Sequence, residues 1–584
     1  MGKFLRLKQT AAVLGVVLLL VSGCAKQAET SSPATTTQTS ITTAPKTTAT
    51  ATTTAATTKP PASATPSAAA APAGPYGDLR MAVSSFGNDS FDPVTVTGTT
   101  VTTLISPILN YVVGLDGVNV GPEVAEKWEV APDGLSWTLH IRKGIKFSNG
   151  DSLTARDVKF SIDRFDSKEA FYAYPRDFVD RVDLVDDYTV RVFTKGPQPW
   201  LLSYFGAEGT AGTVLVMPKD YIEKNGIDRF KQQPIGSGSF TFVRRVPGDM
   251  AQYQAVDKHW RSTPAFKNLT IMLMPEETTR VAALKTGQTD AIDIGMDQAK
   301  ALKAAGFRTP VLSYSNAGVH FYHVYDPRGA GMPTANPKVR QALSLAINRE
   351  EILKNFFFGL AQRAFMPNLA PTSRDVDTAY WQAYADKTYG YDVAKAKQLL
   401  AEGGYGNGFS VKFYSFAQGG APYMPALIEV IQGYWQAVGV RAEIVATDWG
   451  SFAPSRWVGS GASRAPNPNL IGQASLATYS ERANVGVGVT NTAFSTGTYF
   501  PFYTPKGPAF PQLNGLVTTS REEIDATKRK TAISQIIQIL ADSWVVLPIA
   551  NVPSAAGLGP NVDVAFPPLA GMITMFADTV KHAK

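Results

Sequence analysis

Between Gly121 and Phe165 the apolar period of the chain changes from two residues to 3.6, which restricts the segment to one succession of elements. Trp128 and Val130 lead into Ala131-Pro132-Asp133-Gly134, where proline presets φ and glycine tolerates the reversal. Leu135, Trp137, Leu139 and Ile141 then alternate with Ser136, Thr138, His140 and Arg142, as in a strand with one buried face. A second turn, Asn149-Gly150-Asp151, follows Phe147. Thr154 and Asp157 stand where a capping box opens a helix, and Leu153 and Val158 are spaced as a hydrophobic staple. Val158, Ile162 and Phe165 mark one helical face. The expectation is hairpin, turn, helix, and none of these residues needs chemistry to explain it.

The chain is long enough for more than one core, with 584 residues, 44% of them hydrophobic. Its formal charge is +7; without Lys3, Arg6 and Lys8, which lie in an expected leader, 7 − 3 leaves +4. The remaining basic residues are scattered rather than gathered into phosphate-tracking runs, so nucleic acid is not an expected partner. One cysteine, Cys24, excludes an internal disulfide and a cysteine-built zinc cluster.

The leader is Lys3, Arg6 and Lys8 followed by an apolar run from Ala11 to Val21, short for a membrane span and suited to a signal-peptide core. It ends in Val21-Ser22-Gly23-Cys24, which resembles the bacterial lipobox. That resemblance implies a signal peptide over 1–23, diacylglycerol on the Cys24 sulfur and a new N-terminus at Cys24. Residues 24–75 are nearly all Thr, Ala, Ser and Pro, cannot bury a core, and are expected to form a disordered tether.

PEVAEKW (Pro122–Trp128), Pro132-Asp133-Gly134, RKGIKF (Arg142–Phe147), Asn149-Gly150 and TARDV (Thr154–Val158) together resemble the signature of the peptide/nickel-type solute-binding proteins. These family 5 extracytoplasmic receptors feed ABC importers. The likeness continues through Phe91-Asp92-Pro93, PIGSGSF (Pro234–Phe240), DKHW (Asp257–Trp260), the Glu276–Gly287 helix with Gln288–Asp293, and NPKVRQALSLAINR (Asn336–Arg349). Helices are expected over Thr100–Tyr111, Ile428–Val438 and Arg521–Asp542, and strands over Leu79–Val83, Val411–Phe416 and Val440–Val445. The resemblance covers about residues 77–565. It implies an α/β chain with the two-lobed periplasmic-binding-protein fold of the large, peptide-binding type. Lobe I would combine 76–112, 200–318 and 555–584, lobe II would be 319–554, and 113–199 would form an inserted subdomain.

The implied function is capture of a small solute, peptide-like or otherwise organic, between the lobes and delivery to ABC permease subunits. The implied protein is monomeric, held at the outer face of a membrane by its Cys24 lipid, without a cofactor and without catalysis. The competing classes are an anchored surface hydrolase and a sensor or chaperone that transports nothing. A hydrolase needs a nucleophile, a base and an orienting group, yet Gly236-Ser237-Gly238 and Gly459-Ser460-Gly461 carry only part of a nucleophile elbow. Gly236 and Gly238 also lack the Lys and Ser/Thr of a phosphate-binding loop. His320 and His323 point to opposite faces of a straight strand and would share a metal only across a bend, so no metal site is expected.

A solute cleft needs aromatic walls and a few oriented polar groups. By position the ligand-binding candidates are Phe86 and Asn88 after the first strand, Tyr322 and Tyr325 near the lobe crossing, and Trp449 and Trp457. The family's peptide-binding members carry an acid in the loop after the Trp449 strand, where it neutralises the ligand's amine. From Trp449 to Ser480 this chain has no Asp or Glu, and Arg464 stands about where the acid would be. A guanidinium suits a carboxylate or phosphate, so Arg464 implies a solute held without a free amine at this point.

Overall fold

The computed structural model describes residues 74–583 apart from 97, 117–118, 172–175, 177, 207–213, 366–374, 418–420, 422, 449–450, 453–454, 459–464, 481–511 and 565–572. The expected leader, Cys24 and the tether lie outside the described residues. Among the described residues no helix is long and apolar enough to cross a membrane.

The hairpin forms as expected. Strand β2 (Ala125–Val130) pairs antiparallel with β3 (Ser136–Ile141). The turn closes through Gly134 N–H to Ala131 O at 2.8 Å, with Gly134 at φ +70°. Trp137, Leu139 and Ile141 are buried, but Leu135 precedes the strand and is exposed. With β4 (Val179–Asp186) and β5 (Thr189–Thr194) they make a separate four-stranded antiparallel sheet, ordered β2-β3-β5-β4, within the segment expected as an insert.

Helix α1 (Ala155–Phe165) starts at its capping box: Arg156 N–H donates to Thr154 Oγ1 at 3.3 Å, and Thr154 N–H to Asp157 Oδ2 at 2.9 Å. Asp157 Oδ1 accepts a further bond from Lys219 N–H at 3.0 Å, so one carboxylate joins the helix to the following segment. Leu153, Val158, Ile162 and Phe165 are buried.

The expected helix over Thr100–Tyr111 forms only in its first half. Helical structure starts at Gly98 and stops at Ile105, two residues before Pro107, whose ring and missing N–H block continuation. Residues beyond the stop serve the glycine-rich turn instead. Gly238 N–H donates to Ile108 O at 2.9 Å and Phe240 N–H to Pro107 O at 3.0 Å. A Cβ on Gly236 or Gly238 would collide with the Ile108 or Pro107 carbonyl, so these glycines permit two backbones to approach.

The large sheet is built from β1 (Asp78–Val83), β6 (Phe240–Val246), β7 (Met250–Ala255), β8 (Asn268–Leu273), β9 (Ala291–Ile294), β10 (Val311–Phe321), β11 (Gln362–Arg363), β12 (Phe409–Ser415), β13 (Val440–Ala446), β14 (Ala474–Ser480) and β15 (Val546–Leu558). Its order is β13-β12-β14-β10-β15-β9-β1-β8-β7-β6, with β11 paired to β15 off this path. The two longest strands, β10 and β15, run antiparallel at its centre. The β14 side receives the far end of β10, and the β9 side receives the far end of β15. The sheet thus has two halves sharing one pair of crossing strands. At the crossing Ser313 Oγ lies 3.0 Å from Ser554 Oγ, and Asn316 Nδ2 donates to Asn551 Oδ1 at 2.8 Å.

Helices α2 (Glu277–Lys285) and α3 (Met296–Ala304) cover the first half; α4 (Pro337–Leu345), α5 (Val393–Glu402) and α6 (Met424–Gln436) belong to the second. Asn336 caps α4 with Pro337 at its first position, and Leu343, Ala346 and Ile347 are buried as expected. The expected helix over Arg521–Asp542 is broken. One helix ends at Glu522 and α7 (Ala526–Ser543) restarts after Asp525, which accepts from Thr527 N–H at 2.8 Å and Lys528 N–H at 3.0 Å. The two chain ends of the described body meet: the His582 ring stacks on Tyr76 at 3.9 Å and tilts against Phe266 at 3.9 Å.

The capping box is directly testable by urea denaturation. Thr154→Ala is expected to cost about 1 kcal/mol. Asp157→Ala is expected to cost more, about 2–3 kcal/mol, because two main-chain donors lose a charged acceptor. Two variants as stable as the parent would contradict the helix start described here.

Candidate functional site

Two buried arginines of the Asn336–Arg349 segment fasten the second half, one to the end of α7 and one to β15. Arg340 donates to Ser543 O at 2.9 Å, Thr334 O at 2.6 Å and Ala335 O at 3.0 Å. Arg349 donates to Pro548 O at 2.7 Å and Ser344 O at 3.0 Å. Each guanidinium satisfies carbonyls that neighbouring elements leave unpaired. Burial, with Arg363 nearby, lowers the Arg349 pKa to about 9.

The aromatic candidates divide. Phe86 is buried after β1, while Asn88 is exposed and its N–H donates to Thr100 Oγ1 at 2.7 Å. Tyr322 is buried past the end of β10, its hydroxyl 2.8 Å from Ser475 Oγ on β14 and its ring edge-on to Phe452 at 5.6 Å. The Tyr325 hydroxyl accepts from Arg340 at 3.1 Å, and the Arg340 guanidinium lies over its ring at 5.5 Å. Burial raises both tyrosine pKa values, so both hydroxyls stay protonated. The structure therefore brings Tyr322 and Tyr325 into the interior packing of the second half. Trp457 lies in a two-residue strand whose partner is Ala465–Pro466. Trp449 and Arg464 are outside the described residues.

Residues 459–464, which include Arg464, lie outside the described residues, and the segments on either side of them are described. Trp457 and Val458 pair with Pro466 and Ala465, a turn follows over Pro468–Leu470, and then β14, which inserts between β10 and β12. Glu481, the residue next in sequence after β14, is the first acid after Asp448. Glu481 also lies outside the described residues.

Sequence reasoning missed a buried polar cluster beneath β10. Arg456 is buried, and its carbonyl accepts from or faces His323 Nε2 at 3.0 Å and accepts from Asn467 N–H at 3.2 Å. The bend needed to swing His323 off the strand does occur, with His323 at φ +51°. Its ring nitrogen is then occupied by the Arg456 carbonyl. Burial, reinforced by the nearby Arg456 charge, holds His320 well below its ordinary pKa, and burial lowers His323 to about 4. Burial also lowers His259, whose ring nitrogens face Ser237 O at 2.8 Å and Ser262 O at 3.2 Å. His323 and His259 meet main-chain carbonyls, which orient their rings. No local pattern in the sequence marks Arg456 as buried.

A surface depression of about 240 Å³ lies elsewhere, beside the α1 cap, with Asp151, Arg156, Asp157, Asp187, Asp220 and Tyr221 among its walls. Asp157, its most buried carboxylate, is committed to Thr154 and Lys219.

The family model for bacterial extracellular solute-binding proteins, family 5 (middle part), matches residues 119–481. The chain belongs to this family. Among curated relatives it is 29% identical over 357 residues to heme-binding protein A of Haemophilus influenzae, covering 57% of this chain and 63% of that one. It is 30% identical over 399 residues to the dipeptide-binding protein of Escherichia coli, covering 62% and 71%. The match thus spans less than two thirds of the first relative's length. Among solved structures, an ABC-transporter-associated periplasmic binding protein of Helicobacter pylori in complex with the peptide STSA superposes with TM-score 0.68 at 20% identity, covering 88% of this chain and 99% of that one. The ABC transporter substrate-binding protein CtaP of Listeria monocytogenes gives 0.72 at 18% identity, covering 87% and 100%. This family 5 protein therefore has the two-lobed periplasmic-binding-protein fold, the lobes being the halves on either side of the β10–β15 crossing.

In this family 5 protein the neutral histidines set a direction for pH. The unfolded chain takes up protons near pH 6.5 and the folded chain does not, because the folded pKa values are depressed. Stability is therefore full above about 6.5 and falls as pH drops from there toward about 4. Each histidine contributes a slope of up to about 1.4 kcal/mol per pH unit. His323→Gln, which can still donate to the Arg456 carbonyl, is expected to remove about one such contribution from urea-denaturation profiles between pH 7 and 5. A parent protein whose stability is flat over that interval would contradict the assignment.

Proposed function

We propose that this protein captures a peptide-like or other small organic solute between its two lobes and hands it, chemically unchanged, to an ABC permease. The observation that carries this is the β10–β15 crossing: two halves that share one central pair of strands can pivot about it and enclose a solute between them. Ligand affinity for the enclosed state drives the shift. Family membership supports the reading. So does the variety of solutes named for relatives, which include heme, dipeptide and glutathione. The lobes divide as 76–112 with 200–318 and 555–584 on one side and 319–554 on the other, with 113–199 inserted. The protein works as a monomer without catalysis, and Phe86, Asn88, Tyr322, Tyr325, Trp449, Trp457 and Arg464 shape or support the ligand region.

Cys24 carries the membrane attachment. Lipid chains contribute roughly 0.8 kcal/mol per buried methylene, so several hold the protein firmly. The Thr/Ala/Ser/Pro tether then lets the body range over the mouth of its permease.

Native mass spectrometry of the full mature protein, followed by calorimetry with a peptide panel, tests the capture reading. One solute per chain, leaving with unaltered mass and binding with a negative heat-capacity change, is the expected result. A bound molecule that leaves with a changed mass would overturn it. Peptides with free and acetylated amines, run side by side, distinguish an Arg464-facing terminus from a Glu481-facing one.

The anchor has its own test. In cells fed a labelled fatty acid, the parent protein is expected to take up label and sediment with membranes. Cys24→Ser is expected to lose both properties, and label retained by that variant would place the attachment elsewhere.

A further inference from the structure

Helix α3 belongs to the first lobe. Its Ala299 and Leu302 are buried with Ala82, Ile292, Ile294 and Ala555. The turn after Phe356 belongs to the second lobe. Its Phe357 is buried edge-on to Tyr423 at 5.3 Å, and the chain then enters β11, which pairs with Ala550 and Asn551 of β15. Between these two elements run the crossing strands. A side-chain contact joins the two elements: Lys300 Nζ, on the exposed face of α3, lies 3.9 Å from the ring centroid of Phe358.

Phe358 is unusual in two ways. It is a large apolar side chain with 42% of its surface exposed. It also sits at φ +55°, in the left-handed region that a bulky residue rarely occupies, followed by Gly359 at φ +73°. The turn is held there by Gly359 N–H to Leu353 O at 2.7 Å and Leu360 N–H to Phe357 O at 2.9 Å. Strain kept at an exposed position by surrounding bonds calls for a use. Here it holds the ring out of the second lobe's core, beneath a cation from the first.

We propose that Lys300 and Phe358 form a latch across the crossing strands that favours the lobe arrangement described here. The proposal rests on the hinged reading above and adds a contact that biases the resting position, alongside the Trp200 indole of the first lobe, which donates to Ser520 O of the second at 2.9 Å. A cation over a solvent-exposed ring is worth about a two- to five-fold bias between states. That is enough to set a preference and weak enough to release when a solute favours the other state.

The test is a distance measurement by pulsed electron spin resonance on the full mature chain in a Cys24→Ser background, labelled at Asp228→Cys in the first lobe and Lys397→Cys in the second. Parent, Lys300→Ala, Phe358→Ala and the double variant are compared without solute, with a pooled di- to pentapeptide library, and with the small-molecule extract of the native protein. Each single substitution is expected to lower the resting population about two- to five-fold relative to the alternative, and the double variant to go no further than the singles. Lys300→Arg is expected to keep the parent distribution. Lys300→Ala alters one surface side chain, so it decides the matter even if Phe358→Ala fails to fold. Parent-like populations in Lys300→Ala, or effects that add in the double variant, overturn the latch while leaving the hinge intact. A parent distance that never changes under any of the three conditions removes the hinge and the latch together.

Discussion

The antiparallel pairing of β10 with β15 is the interaction on which the rest of the structure depends. Each strand spends one end in one lobe and its other end in the next. A hydrogen-bonded ladder resists sliding of one strand past the other, because a one-residue slip would turn every side chain to the opposite face. The same pair bends and twists far more easily than it shears. The polar pairs at the crossing, Ser313 with Ser554 and Asn316 with Asn551, fix register by hydrogen bonding where an apolar pair would only fill space.

Around that pair the second lobe is secured by cations buried against carbonyl groups. Arg340 closes the end of α7, and Arg349 reaches Pro548 within β15 itself. Removing either would leave several buried carbonyls without a donor, the costly side of the hydrogen-bond balance. The histidines act in the opposite sense. Buried without charge, they help the fold only while they remain neutral. Arg340, Arg349 and His323 thus place polar atoms in the interior by meeting main-chain carbonyls.

Local signals in the sequence were legible where short-range chemistry decides the outcome. The Thr154–Asp157 cap, the Pro132–Gly134 turn and the Asn336-Pro337 helix start needed only neighbours a few residues away. Where two local signals compete, reading fails. The family likeness over Thr100–Tyr111 implies a helix, but Pro107 stops it, and Asp525 splits what looked like one helix at Arg521. Leu135 completes an alternation yet falls outside the ladder. The ligand region was least legible. An aromatic residue after a strand, such as Phe86 or Tyr322, has the same sequence surroundings whether it faces solvent or packing. Arg456 is buried by elements far away in the chain, which no window around it can reveal. The insertion of β14 between β10 and β12 is likewise a tertiary fact.

The stacking of Tyr76 on His582 joins nearly the first described residue to nearly the last. Strand β1 pairs with β8 and β9, far downstream, and β9 pairs in turn with the closing strand β15. The first lobe therefore has to wait for the end of the chain before its sheet is complete. Topology of this kind, rich in remote contacts, makes folding slow. During synthesis the sheet of the first lobe therefore stays unfinished until β15, close to the end of the chain, has been made.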